Sequence, residues 1–207
     1  MKGQVTNMKN RILSLLLCLT LIMCFVSCGK ATDSQTEKIG KFNAVITVKN
    51  YGDIELELDG DTAPITVKNF VDLAKDGFYD GLTFHRIIDG YMIQGGDPEG
   101  TGYGGSGKTI TGEFEKNGIK NNISHKKGVI SMARSQAYNS ASSQFFIVQE
   151  ENDMIKKTLD GNYAAFGHVT KGIEIVDKIA KETPVVDDNG TVLRDNQPII
   201  EKIIIKS

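Results

Sequence analysis

The chain has 207 residues, enough for one domain with a substantial core. Hydrophobic residues make up 40% and charged residues 24%, an ordinary balance for a soluble globular protein. With 26 acidic against 24 basic residues the formal charge is −2, which argues against a nucleic-acid partner, since that normally needs a basic surface.

Residues 1–27 differ from the rest. Lys2, Lys9 and Arg11 make a basic start, and Ile12 to Phe25 is almost wholly apolar. Fourteen residues are too few to span a bilayer as a helix but fit the centre of a secretory leader. Phe25-Val26-Ser27-Cys28-Gly29 resembles a bacterial lipoprotein lipobox, with Phe25 where Leu is usual. The resemblance implies that 1–27 is a signal peptide and that Cys28 is lipidated, palmitate included, which anchors the protein to the cell membrane on its extracytoplasmic side. An ordinary leader cleaved nearby, or an uncleaved anchor, is the alternative. Of Cys18, Cys24 and Cys28 only the last would remain, so no disulfide is possible within the mature chain. The mature part keeps 21 basic against 26 acidic residues, a formal charge of −5.

Residues 28–40 are polar apart from Ile39 and read as a flexible tether, with the folded domain over 41–207. Phe42–Lys49 and Asp53–Leu58 read as strands joined at Asn50-Tyr51-Gly52; Ile54, Leu56 and Leu58 alternate onto one face. A helix opens at Ala63-Pro64 with Thr62 as candidate N-cap, carries Val67, Phe70, Val71 and Ala74 at helical spacing, and ends at Gly77. A hairpin follows, then a glycine-rich loop over 95–107. Further strands are expected over 128–132, 144–149, 164–169 and 198–206, and a second helix over 173–181. Short strands with two isolated helices predict a mainly β fold, a closed antiparallel barrel capped by two helices.

Residues Gly102 to Thr109 satisfy the phosphate-loop pattern G-x-x-x-x-G-K-[ST]. That pattern works only between a buried strand and a helix whose N-terminal amides face the phosphates. Neither flank is present, so a surface loop is the better reading. His85, His125 and His168 lack ligand spacing, and no metal or other cofactor is expected. Ser131 and the serines at 140–143 have no nucleophile-elbow context and read as loop residues.

Phe84-His85-Arg86-Ile87-Ile88 puts an Arg inside an apolar strand, where an unsatisfied charge is costly. If Asp89 to Tyr91 forms a three-residue loop, Arg86 stands opposite Gln94 and Ile88 opposite Met92. Arg86, Met92 and Gln94 then share a face. Gln144 and Phe146 share a face of another strand. A cation, two amides, a Met and a Phe suit an uncharged peptide with an apolar side chain. The spacing leaves open an Arg that snorkels to water from the rim, with solvated Gln side chains.

These residues resemble the cyclophilins, the peptidyl-prolyl isomerases. The likeness runs over residues 42–207, through Phe84 to Ile88, Met92-Ile93-Gln94-Gly95-Gly96-Asp97, Gly100-Thr101-Gly102, Gly128-Val129-Ile130-Ser131-Met132-Ala133, Ser143-Gln144-Phe145-Phe146-Ile147, Leu159-Asp160-Gly161 and Phe166-Gly167. It implies an eight-stranded β-barrel closed by two helices, with a proline pocket on its outer surface. By position, Arg86 would be catalytic. Met92, Phe146 and Leu159 would line the pocket, with Tyr91 where the family has Phe. Gln94, Ala133 and Gln144 would contact the peptide backbone. Thr158 stands at the family's pocket Trp, Tyr163 at its His and Arg134 at its Asn. The missing Trp bears on cyclosporin, which that residue helps hold.

The resemblance implies a prolyl isomerase acting as a monomer on proline-containing segments of exported proteins. A non-catalytic module that binds such segments is the alternative. Rotating a prolyl bond breaks no bond, so it calls for no nucleophile, base or metal.

Overall fold

The computed structural model describes residues 37–206; the leader, Cys28 and most of the expected tether lie outside the described residues. Its strands are β1 (Lys41–Val48), β2 (Gly52–Asp59), β3 (Thr83–Ile88), β4 (Met92–Asp97), β5 (Val129–Met132), β6 (Phe145–Val148), β7 (Ala164–Lys171) and β8 (Ile200–Lys206). Its helices are α1 (Pro64–Lys75), α2 (Asp153–Leu159) and α3 (Ile173–Glu182). The strands form one sheet in the order β3-β4-β6-β5-β7-β2-β1-β8, every pair antiparallel. The folded part begins slightly before Lys41: Ile39 donates to the Gly60 carbonyl at 3.3 Å and Gly40 to the Asp61 carboxylate at 3.0 Å.

The strands form where apolar residues alternate. Ala44, Ile46 and Val48 of β1 and Ile54, Leu56 and Leu58 of β2 point inward, and their register from Lys41–Asp59 to Val48–Gly52 keeps both sets on one face. Inside the curl they meet Phe70 and Val67 of α1, Val176 and Ile179 of α3, and Tyr79, Phe84, Phe145 and Phe166.

Two expectations about the architecture are corrected. The sheet is not a closed barrel but an open, curled half-barrel whose ends, β3 and β8, share no ladder. Only a bridge between Thr83 and Ile199 and scattered bonds, such as Phe84 N–H to the Pro198 carbonyl at 2.9 Å, cross the seam. Pro198 has no N–H to donate, and β8 begins only at Ile200, so no run of paired donors can form there. There are also three α-helices rather than two among the described residues. The extra one, α2, has seven residues, too few to show a helical period. It is held by Ile155 and Leu159, four apart on one face, and by the Asn152 side chain accepting from Ile155 N–H at 2.9 Å.

The N-terminus of α1 is satisfied from a distance. Its cap residue is Ala63, and Thr62 instead donates its hydroxyl to Asp59 at 2.9 Å. The capping oxygens come from Glu113, fully buried, which accepts from Ile65 N–H (3.0 Å), Thr66 N–H (2.8 Å) and the Thr66 hydroxyl (2.7 Å). A carboxylate there meets both the orphan amides and the positive end of the helix. Replacing Glu113 with Ala should lower unfolding free energy by about 2–3 kcal/mol, the range for charged hydrogen bonds plus a lost cap. A urea-unfolding midpoint indistinguishable from wild type would refute the capping role.

Candidate active site

The hairpin joining β3 and β4 has the three-residue turn 89–91, pairing Ile88 with Met92, Ile87 with Ile93 and Arg86 with Gln94. Ile87 and Ile93 face the core, so Arg86, Met92 and Gln94 face outward together. On the next strand Gln94 pairs with Phe146, which adds the Phe ring to the same face.

A directed chain of hydrogen bonds runs across that face. Arg86 Nη1 donates to Gln94 Oε1 at 3.3 Å, Gln94 Nε2 donates to Gln144 Oε1 at 2.9 Å, and Gln144 Nε2 donates to the Gly102 and Gly104 carbonyls at 3.0 and 2.8 Å. On its other side Arg86 donates from Nε to the Asn189 carbonyl (2.8 Å) and from Nη2 to Asn189 Oδ1 (3.3 Å). The guanidinium is thus tied on both flanks, not left to wander in solvent.

Beside it lies a cavity of about 150 Å³ lined by Arg86, Tyr91, Met92, Gln94, Ala133, Arg134, Phe146, Leu159 and Tyr163. Nine of the ten peptide-contact and catalytic positions expected from sequence meet there. The tenth, Gln144, borders an adjoining cavity of about 310 Å³ with Ser140, Ser142, Gly102 and Tyr103, and reaches the first through Gln94. Met92, Phe146 and Leu159 are buried and make the apolar floor, part of a second cluster outside the sheet with Val129, Val148, Ile155 and Ala165. Tyr163 meets Phe146 edge-on, ring centres 5.7 Å apart. Thr158, at the position expected to match the family's Trp, is exposed and donates to the Met154 carbonyl within α2.

Arg134 walls both cavities, but its donors are occupied: Nε and Nη2 reach the Asn162 carbonyl at 3.0 and 2.8 Å, and Nη1 the Ser135 carbonyl at 2.9 Å. Its cation lies 4.8–5.2 Å from the centres of the Phe114, Tyr138 and Tyr163 rings, so it clamps loops. The glycine-rich loop is tied at its root. The Asp97 carboxylate accepts from the N–H groups of Glu99 (2.8 Å), Thr101 (3.0 Å) and Gly102 (2.6 Å). Burial works to raise the Asp97 pKa, but those bonds hold it below the ordinary value. No helix follows the loop, so the phosphate-loop pattern lacks its partner element.

One constellation was not legible from the sequence. Ser131 lies in β5, not in a loop, and accepts no solvent contact. His125 Nε2 is 2.9 Å from its hydroxyl, and His125 Nδ1 is 2.8 Å from Asp160. The order Ser–His–Asp resembles a hydrolase triad, yet the serine is fully buried under the outer apolar cluster and can attack nothing. The His125 ring instead lies parallel to Phe146, centres 6.1 Å apart, so the network props the pocket floor. Burial holds the His125 pKa below its ordinary value of 6.5 against the pull of Asp160. The Asp160 pKa, which burial would raise, is held low by bonds from His125 and Ser124. A neutral ring beside an ionised Asp160 carries its proton on Nδ1 and accepts from Ser131 on Nε2.

The family model described as "Cyclophilin type peptidyl-prolyl cis-trans isomerase/CLD" matches residues 44–207. Peptidyl-prolyl cis-trans isomerase A of Dickeya dadantii is 43% identical over 139 residues, 66% of this chain and 70% of that one. Peptidyl-prolyl cis-trans isomerase B of Bacillus subtilis is 44% identical over 142 residues, covering 69% and 87%. A cyclophilin type peptidyl-prolyl cis-trans isomerase of Cryptosporidium parvum, solved in the presence of the dipeptide Ala-Pro, superposes with a TM-score of 0.67 at 32% identity, covering 80% of this chain and 99% of that one.

The buried histidine carries a pH consequence. A His whose folded pKa is depressed stays neutral in the fold while the unfolded chain binds a proton below 6.5, so stability is full above that pH and falls as pH drops through it. His85, also lowered chiefly by burial, acts in the same direction. Urea midpoints should therefore fall between pH 7.5 and 5.5, and fall less in His125→Gln; a wild-type midpoint flat over that range would contradict this.

Proposed function

The chain belongs to the cyclophilin-type peptidyl-prolyl cis-trans isomerases, and within that activity we propose that Arg86 is the residue that stabilises the twisted prolyl amide. The observation that carries this is the placement of a tied guanidinium on the lip of a pocket whose floor is Met92, Phe146 and Leu159, with Tyr91, Gln94, Ala133, Arg134 and Tyr163 around it.

Rotation about a peptide bond faces a barrier of about 18–20 kcal/mol because resonance gives the C–N bond double-bond character. Uncatalysed X-Pro isomerisation therefore takes tens of seconds or longer. As the bond twists, conjugation is lost and the prolyl nitrogen gains a lone pair. A donor aimed at that nitrogen binds the twisted state better than the planar one, and only such a difference accelerates the step. The apolar floor holds the ring while the preceding carbonyl turns. Gln94 and Ala133 border the pocket where the flanking backbone would lie, and Gln144 borders the adjoining cavity.

Because Arg86 is half-buried and outside both apolar clusters, its loss should spare the fold. Arg86→Ala should lower kcat/KM in a prolyl-peptide isomerisation assay by on the order of 10²-fold, the usual cost of one transition-state donor. Full activity in a folded Arg86→Ala variant would disprove the assignment.

The place of action rests on the leader and the Cys28 context. A lipid on Cys28 would hold the domain outside the cell membrane, where newly exported, proline-containing chains fold. Cells grown with labelled palmitate should incorporate label into the wild-type chain and none into Cys28→Ala; equal incorporation in both would exclude Cys28 as the anchor.

A further inference from the structure

Arg86 is a long, flexible side chain with five donors. Three are spent: Nε on the Asn189 carbonyl at 2.8 Å, Nη2 on Asn189 Oδ1 at 3.3 Å, and Nη1 on Gln94 at 3.3 Å. The shortest of these bonds goes to Asn189, which lies 103 residues away and is absent from the lining of the 150 Å³ pocket, though it borders a neighbouring cavity of about 300 Å³ with Arg86 and Gln94. One residue thus takes the Nε–Nη2 edge through both its backbone and its side-chain oxygen, and one N–H on each terminal nitrogen is left over.

Asn189 is held there by a small hairpin. Val186 N–H donates to the Thr191 carbonyl at 2.9 Å, Gly190 N–H to the Asp187 carbonyl at 3.0 Å, and Thr191 N–H to the Asp187 carboxylate at 2.9 Å. The hairpin is stitched to the outer edge of β3 on both sides of Arg86. Ile87 N–H donates to the Gly190 carbonyl at 2.8 Å, Val192 N–H to the His85 carbonyl at 3.0 Å, and Thr191 forms a bridge with Arg86. The approach admits only glycine at 190. Its φ is +81°, and a Cβ there would lie 2.2 Å from the Ile87 carbonyl oxygen.

We propose that the 186–192 hairpin is a positioning element for catalysis, with Asn189 fixing the direction in which Arg86 presents its remaining N–H groups and Gly190 fixing Asn189. This rests on the catalytic reading of Arg86. On this reading Asn189 does not contact the prolyl residue itself. It restricts the rotamer of the group that does, and a geometric loss of that kind appears in kcat more than in KM.

The test combines kinetics with an NMR signal from the Arg86 Nε–H. Asn189→Ala removes one acceptor and should lower kcat about fivefold with KM within about twofold. Asn189→Asp keeps an oxygen there and should restore kcat to within about twofold of wild type. Gly190→Ala must displace the turn and should cost roughly tenfold or more in kcat while speeding solvent exchange of the Nε–H. Asp188→Ala, in the same turn but outside the bonds to Arg86, should change neither reading. In an Arg86→Lys background, Asn189→Ala should add no further loss. Wild-type kcat in folded Asn189→Ala and Gly190→Ala, beside an impaired Arg86→Ala, would overturn the positioning role and leave the catalytic one standing. Full activity in a folded Arg86→Ala variant would overturn the catalytic reading and the positioning role with it, whatever the Gly190→Ala signal shows about how firmly the hairpin holds the side chain.

Discussion

A guanidinium can only donate, and that one-sidedness orients the whole outer face of this sheet. With Arg86 donating to Gln94, the Gln94 oxygen must face β3 and its NH₂ must face away. The NH₂ then needs an acceptor, which fixes Gln144 with its oxygen toward Gln94 and its own NH₂ toward the Gly102 and Gly104 carbonyls. Asn189 on the opposite flank likewise offers two oxygens. The result is a row of amides with a single sense, ending in a cation that borders the pocket. A Lys at 86 could supply charge but could not occupy three such acceptors in one plane.

That row is laid on a second hydrophobic cluster that a simple half-buried sheet would lack. The central strands β5 and β6 are buried on both faces, inward against Phe70 and Phe166 and outward through Phe146, Val148 and Val129. The outer cluster is small, so it needs α2 to cover it with Ile155 and Leu159. It also needs the His125–Ser131–Asp160 network to satisfy the polar groups caught beneath it. A neutral imidazole stacked under Phe146 gives the pocket floor a rigid backing without placing a charge next to an apolar ring.

What could be read from the sequence follows the range of the interactions. The 3-residue turn at 89–91 decided the register, and period-2 alternation then put Arg86, Met92, Gln94, Gln144 and Phe146 on one face. Those are local rules, and nine of the ten expected positions surround one cavity. Two of the misses involve partners far apart in the chain, and two involve local features that carry no periodic signal. Glu113 caps a helix that starts 49 residues earlier, so Thr62, the local candidate, was the wrong cap. Asn189 reaches Arg86 across 103 residues, and the Asp188-Asn189-Gly190 turn signals a hairpin without saying what it holds. Ser131 and His125 are six residues apart, yet nothing in a strand pattern marks a buried serine as bonded. The extra helix escaped because two apolar contacts four apart do not make a period.

The open seam and the held arginine have one cause. Had β8 continued the ladder along β3, its carbonyls would all lie in the plane of the sheet and be spent on backbone N–H groups. None could then turn toward a side chain. Instead β8 begins only at Ile200, and the β3 edge is covered by irregular chain: Gly190 and Val192 beside Ile87 and His85, and Pro198 and Ile199 beside Phe84 and Thr83. This covering blunts an edge that would otherwise invite pairing with another chain. Because it is a turn and not a strand, it also leaves the Asn189 carbonyl free of any ladder and aimed at Arg86 Nε. Failure to close the barrel is thus what gives Arg86 its strongest hydrogen bond.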